Sequence, residues 1–166
     1  MLTVKAKGVA GLKSKLKQHQ VRVKKAIADE LSGIAKTVFT DLVKGSPQWS
    51  GNLASNWYIE IDGNAASYRP IPTYSPDNWH KQTPYVMGDD PAVSNTLARE
   101  LPKLTNVKFT SSISLANYAP YATSVEEGVS SSGKPIRSEN LLYGQVAMVG
   151  FAVAKYKITA NKVKYI

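Results

Sequence analysis

Apolar side chains recur along the first quarter of the chain at Leu12, Leu16, Val23, Ile27, Leu31, Ile34, Val38 and Leu42, at spacings of three, four or seven residues. Positions so spaced share one face of a helix, so the pattern predicts an amphipathic helix over residues 12–44, roughly 50 Å long at about 1.5 Å per residue. Lys13, Lys15, Lys17, Lys24, Lys25 and Lys36 fall largely off that stripe, and Gly45 and Pro47 supply the stop. Gly33 is a place where the helix can bend or divide. A helix of this length cannot bury its whole stripe within one small domain, so part of it is expected to pack on a neighbouring subunit.

Further along, the period changes. Residues 55–62 alternate Trp57, Ile59 and Ile61 against Tyr58, Glu60 and Asp62, a half-buried strand, and Gly63-Asn64 follows as a turn signal. Residues 107–115 alternate again and are expected to pair with the first strand. Between them, residues 69–91 hold five prolines, which remove backbone donors, and this predicts a long loop that also carries Tyr74, Trp79 and Tyr85. A short helical turn is expected at residues 120–127, a Gly/Ser loop at 128–133, and a second helix at 138–156 with Leu142, Val146, Val149, Val153 and Tyr156 as its apolar face. Residues 158–166 read equally as a strand or a loose tail.

The 166 residues, 43% of them hydrophobic, suffice for one ordinary core and predict a single domain: a basic helical arm (1–45), an α+β body (46–157) and a basic C-terminal segment (158–166). No run of about 18 apolar residues occurs and the basic N-terminus lacks a signal-type apolar core, so a soluble protein with no membrane contact is expected. Cysteine is absent, which excludes disulfides and thiolate metal sites. The net charge of +9 is polarised, with ten Lys/Arg against three Asp/Glu in residues 1–45, seven against nine in 46–151, and four lysines without an acid in 152–166. Such an arm can meet DNA or an acidic neighbour in an oligomer.

Residues that carry chemistry are sparse. The two histidines, His19 and His80, are isolated, and no metalloprotease, phosphate-loop, dinucleotide or nucleophile-elbow spacing is present. The carboxylate pairs Asp89-Asp90 and Glu126-Glu127 are sequence neighbours whose side chains diverge. No catalytic residue, cofactor or metal is therefore expected. The aromatic residues of the proline-rich loop suit a protein contact, or a loop that buries its own rings.

Two segments resemble the signature pair of tailed-bacteriophage neck and tail-completion proteins of the minor tail protein Z type. The first runs Ser46-Pro47-Gln48-Trp49-Ser50-Gly51-Asn52-Leu53-Ala54-Ser55-Asn56-Trp57, just after the long helix. The second runs Asn117-Tyr118-Ala119-Pro120-Tyr121-Ala122-Thr123-Ser124-Val125-Glu126-Glu127-Gly128, ahead of a Gly-rich loop. Glu127 stands where the family has an aromatic residue, and the stretch 69–103 between the strands is longer than usual. The motif residues Pro47, Gly51, Asn52, Leu53, Trp57, Tyr118, Ala119, Tyr121, Val125, Glu126 and Gly128 suit architectural tasks. Gly51 permits a tight turn, Ser50 or Asn52 can satisfy backbone groups there, Trp57 anchors the strand, Tyr118, Tyr121 and Val125 face the sheet, and Gly128 ends the helical turn.

The expected fold is α+β, with the N- and C-terminal helices packed on a small, mainly antiparallel sheet that carries a long Pro/Tyr-rich loop. The resemblance implies a non-catalytic virion protein assembled in the host cytoplasm. The resemblance further implies a homo-oligomeric ring, commonly a hexamer, at the neck or head-proximal tail end, joining the tail to the head connector beside tail-terminator or tail-tube proteins. Leu12, Leu16, Val23, Tyr74, Trp79 and Tyr85 are the candidate interface residues, with non-specific DNA contact in the channel as a further expectation. Two alternatives stand beside it: a sequence-independent DNA-binding protein, and a small hydrolase gathering His80 with Asp77, Asp89 or Glu126.

Overall fold

The structure, a computed structural model, describes residues 9–46, 51–70, 91–129 and 132–135. The expected C-terminal helix and terminal segment, Pro47, and the aromatic residues Tyr74, Trp79 and Tyr85 lie outside the described residues, as do Asp77, His80 and Asp89. The elements in order are α1 (Val9–Gly45), α2 (Asn52–Ser55), β1 (Trp57–Ile61), α3 (Pro91–Glu100), a 3-10 helix (Leu101–Asn106), β2 (Ile113–Asn117) and α4 (Ala122–Glu127). This is an α+β arrangement in which β1 and β2 form an antiparallel pair.

Helix α1 is 37 residues long and runs unbroken through Gly33, so no division occurs there. One missing side chain costs a helix about 1 kcal/mol, too little to interrupt a ladder continuous on both sides. Its buried apolar side chains are Ala28, Ala35, Phe39, Leu42 and Val43. This is not the stripe that the apolar spacing marks out. On a helical wheel the buried set lies roughly a third of a turn from Leu12, Leu16, Val23, Ile27, Ile34 and Val38, and only Leu42 belongs to both. The stripe persists on its own side because Leu12, Val23 and Ile34 recur every eleven residues, as do Leu16, Ile27 and Val38. Eleven residues nearly complete three turns, so the line drifts only slowly around the axis. Helix α1 thus has two apolar faces. Its C-terminal half buries one against the rest of the domain, while Leu12, Leu16, Val23 and Ile27 remain 59, 60, 42 and 47% exposed.

The remaining elements depart from expectation in specific ways. A helical turn, α2, precedes the strand and ends at Ser55, where the strand was expected to start, and β1 begins at Trp57. β2 begins at Ile113 and not near residue 107, because Ser111 N–H bonds back to the Lys108 carbonyl in a turn. The Asp62 carboxylate then accepts from Ser112 N–H at 2.9 Å and from the Ser111 hydroxyl at 3.2 Å, which sets the start of the pairing. The stretch 69–103 is no continuous loop: from Pro91 onward it is helical, as α3 and the 3-10 helix. Proline at a first helical position carries no penalty, since the N–H it lacks would have had no partner.

The core gathers Phe39, Val43, Leu53, Trp57, Ile59, Val93, Leu104, Ala119 and Val125 from α1, α2, β1, α3, the 3-10 helix and the α4 region. In the register Trp57↔Asn117, Ile59↔Leu115 and Ile61↔Ile113, odd-numbered residues point to this core. Tyr58, expected on the solvent side, is 4% exposed. The Arg99 guanidinium covers its ring at 4.7 Å, the Lys103 ammonium stands 5.9 Å off, and Tyr118 meets it edge-on at 5.8 Å.

Candidate functional site

The two signature segments, some sixty residues apart in sequence, come together at one end of the strand pair. Gly51 adopts φ 72°, a left-handed conformation that disfavours any residue with a Cβ, and turns the chain into α2. That turn buries Asn52 completely. Its amide donates to the Tyr121 hydroxyl at 2.9 Å and to the Tyr68 hydroxyl at 3.4 Å, while its Oδ1 accepts from Asn56 Nδ2 at 3.3 Å. Asn56 in turn brackets Arg69, accepting its N–H at 2.8 Å and donating to its carbonyl at 2.9 Å.

From the second segment, Asn117 donates to the Leu53 carbonyl at 2.9 Å and accepts from Ala119 N–H at 2.9 Å, and Tyr118 N–H reaches the Asn56 carbonyl at 3.1 Å. Trp57 is buried and its indole N–H donates to Ser46 Oγ at 2.8 Å, which ties β1 to the last turn of α1. The Ser46 hydroxyl donates onward to the Leu42 carbonyl at 2.9 Å. A buried amide without partners costs about 1–3 kcal/mol, so a knot in which each makes several bonds specifies one arrangement of four chain segments.

Helix α4 closes the second segment. Gly128 takes φ 69° and its N–H bonds to the Ser124 and Val125 carbonyls, ending the helix as its position predicts. Val125 packs in the core and Tyr121 against it. Tyr118 parts from these two: it lies on the opposite face of the sheet, beside Tyr58, and its hydroxyl donates to Glu60. That bond to a carboxylate lifts the phenol above its ordinary pKa. Helix α4 starts at Ala122, so Pro120 precedes it by two residues.

A separate polar cluster seals the outer edge of β1. Glu100, 1% exposed, accepts from Ile59 N–H at 2.8 Å, Arg99 Nε at 2.7 Å and Lys103 Nζ at 2.6 Å. Lys103 also donates to the Ile59 carbonyl at 3.2 Å, and Arg99 to the Trp57 and Ser55 carbonyls at 3.0 Å each. Side chains of α3 and the 3-10 helix thereby take the place of a third strand on this side, which satisfies the edge and blocks it. Burial pushes the Glu100 pKa up, but the Lys103 ammonium, the Ile59 N–H and the Arg99 guanidinium outweigh it and hold the carboxyl below its ordinary range.

Sequence reasoning missed Glu100, Arg99, Asn56 and Asn117 as organising residues. The two asparagines stood inside the signature segments, whereas the only trace of the edge cluster was a Glu with a Lys three places on. His19 sits exposed on α1, and no group of three His, Asp or Glu that could hold a metal ion occurs among the described residues. No described helix is long and apolar enough to cross a membrane.

Beside α4 an open groove of about 260 Å³ is lined by Trp57, Leu115, Ala122, Thr123, Glu126 and Glu127, among others. It lies apart from the exposed stripe of α1. Compared with known proteins, the chain matches no family model, no curated protein and no solved structure.

Proposed function

We propose that this protein is a non-catalytic structural subunit of a tailed-phage virion, forming a ring at the neck or the head-proximal end of the tail and joining tail to head connector. The observation that carries the reading is the convergence of the two signature segments on one hydrogen-bonded knot through Asn52–Tyr121 and Asn117–Leu53. Of the residues of the resemblance, Asn52, Leu53 and Tyr121 bond to one another or to their neighbours there, a part that suits architecture. Amides, phenols and a tryptophan fix chain geometry and offer no nucleophile beside a base. The exposed apolar stripe of α1 suits a subunit completed by its neighbours, since isolated large apolar residues are common on surfaces but aligned ones mark contacts.

The test is electron microscopy of a phage lysate in which this gene is disrupted. Filled heads beside unattached tails are expected for a joining or completion role, and abnormally long tails would point to tail termination instead. Normal infectious particles would refute the structural reading.

One observation favours a second reading as a sequence-independent DNA-binding protein. Residues 11–25 carry Lys13, Lys15, Lys17, Arg22, Lys24 and Lys25 with no acidic residue, all of them exposed. Duplex binding that collapses between low and moderate salt, with a slope of about −0.9 per phosphate contacted, would support it.

A further inference from the structure

Uncovered apolar side chains and an apolar groove stand at different places on this molecule, and their charges are opposite. Residues 11–27 of α1 are exposed throughout, a rod roughly 26 Å long at about 1.5 Å per residue, which is enough to reach well onto an adjacent subunit. On it Leu12 and Leu16, one turn apart, project together at 59 and 60% exposure. By their angular positions Lys13 and Lys15 flank this pair on either side.

The groove beside α4 is smaller than the ~300–1,000 Å³ usual for a small-molecule site. It has room for a pair of aliphatic side chains and not for a whole helix. Its apolar lining comes from Trp57, Leu115 and Ala122, and Glu126 and Glu127 stand at it, with Glu127 exposed.

We infer that the N-terminal half of α1 of one subunit seats Leu12 and Leu16 in the groove beside α4 of a second copy, with Lys13 and Lys15 against its Glu126–Glu127 rim. Paired i, i+4 anchors from one helix entering a groove are a recurrent mode of recognition. Among the described residues, charge favours the groove over a second aligned apolar surface, the same stripe on another copy. Stripe against stripe in parallel would align six basic side chains between residues 13 and 25 with their own copies. Antiparallel, it would be self-complementary and would stop at a dimer. A knob and a socket on different parts of the molecule make a heterologous contact, the kind that repeats and closes into a ring. The inference rests on the ring reading above and names the surfaces that would build the ring.

The absence of native cysteine makes the test clean. The full chain carrying both Leu16→Cys and Thr123→Cys is oxidised and run on a denaturing gel, beside each single variant. A ladder of covalent oligomers from the double variant alone is expected. Dimers from Leu16→Cys alone would show stripe-to-stripe packing and overturn the inference. In parallel, sedimentation at low salt should show association weakened about tenfold by Lys13→Glu with Lys15→Glu, and recovered when Glu127→Lys is added to the same chain. Circular dichroism checks that these surface variants fold. If the wild type forms rings that neither the charge changes nor the cysteines affect, another surface builds the ring: the inference fails and the ring reading stands. If the wild type stays monomeric at every concentration, both fail.

Discussion

Removing the carboxylate of Glu100 tests the account of the β1 edge most directly. The side chain is 1% exposed and accepts from the Ile59 amide, the Arg99 guanidinium and the Lys103 ammonium, all within 2.8 Å. Glu100→Ala strands a buried backbone N–H, a cost of about 1–3 kcal/mol, and leaves two cations facing a small void. Breaking a buried ion pair costs roughly 3–5 kcal/mol in general. Here the Arg99 and Lys103 side chains are 34 and 42% exposed and can turn to water, so the low end, about 3 kcal/mol, is expected. For a chain of this size that lowers Tm by roughly 6–12 °C. Glu100→Gln keeps an acceptor for Ile59 N–H but sets an amide against two cations, and about 1–2 kcal/mol is expected.

Urea unfolding followed by circular dichroism at pH 7 measures both. The carboxyl titrates below its ordinary range in the folded protein, so its stabilisation is fully present above the unfolded glutamate pKa and is lost as pH falls through the folded value. The gap between wild type and Glu100→Ala should therefore narrow in acid. A Glu100→Ala protein within about 0.5 kcal/mol of wild type at pH 7, the scatter of ordinary surface changes, would refute the reasoning. So would a gap that does not change with pH.

Three further substitutions probe the knot and the core. Gly51→Ala places a Cβ at φ 72° and should cost about 1–2 kcal/mol in urea unfolding, whereas the same change at Gly11, which has open space and lies in the exposed part of α1, should be neutral or slightly stabilising. Asn52→Ala removes the buried amide that donates to the Tyr121 and Tyr68 hydroxyls, while the Asn56 amide keeps the Asn52 and Arg69 carbonyls, and should cost about 1–2 kcal/mol by the same measurement. Phe39→Ala, at a fully buried position of α1, should cost about 3–5 kcal/mol in thermal unfolding, through lost transfer free energy and the cavity left behind.

The α+β class, the long first helix, the antiparallel pairing of two strands and the glycine turns at Gly51 and Gly128 were all legible in the linear chain. Each is dictated by something local: an apolar period near 3.6, an apolar period of two, or a backbone angle that glycine tolerates best. Helix α3 escaped because its buried positions are Val93, Thr96 and Glu100, a helical spacing in which only one residue is apolar. Its initial proline, read as a breaker, is a favourable helix start.

Tertiary structure alone decided which side of α1 is buried, because the apolar stripe is continuous over residues 12–38 while the domain covers a neighbouring face of the helix's C-terminal half. It alone made Tyr58 a buried residue, by laying Arg99 and Lys103 across a ring that alternation assigned to solvent. And it alone joined Asn52 to Tyr121 and Glu100 to Ile59, 69 and 41 residues apart. No period or propensity encodes such pairs, because each polar group is held by a partner that only the folded chain brings within reach.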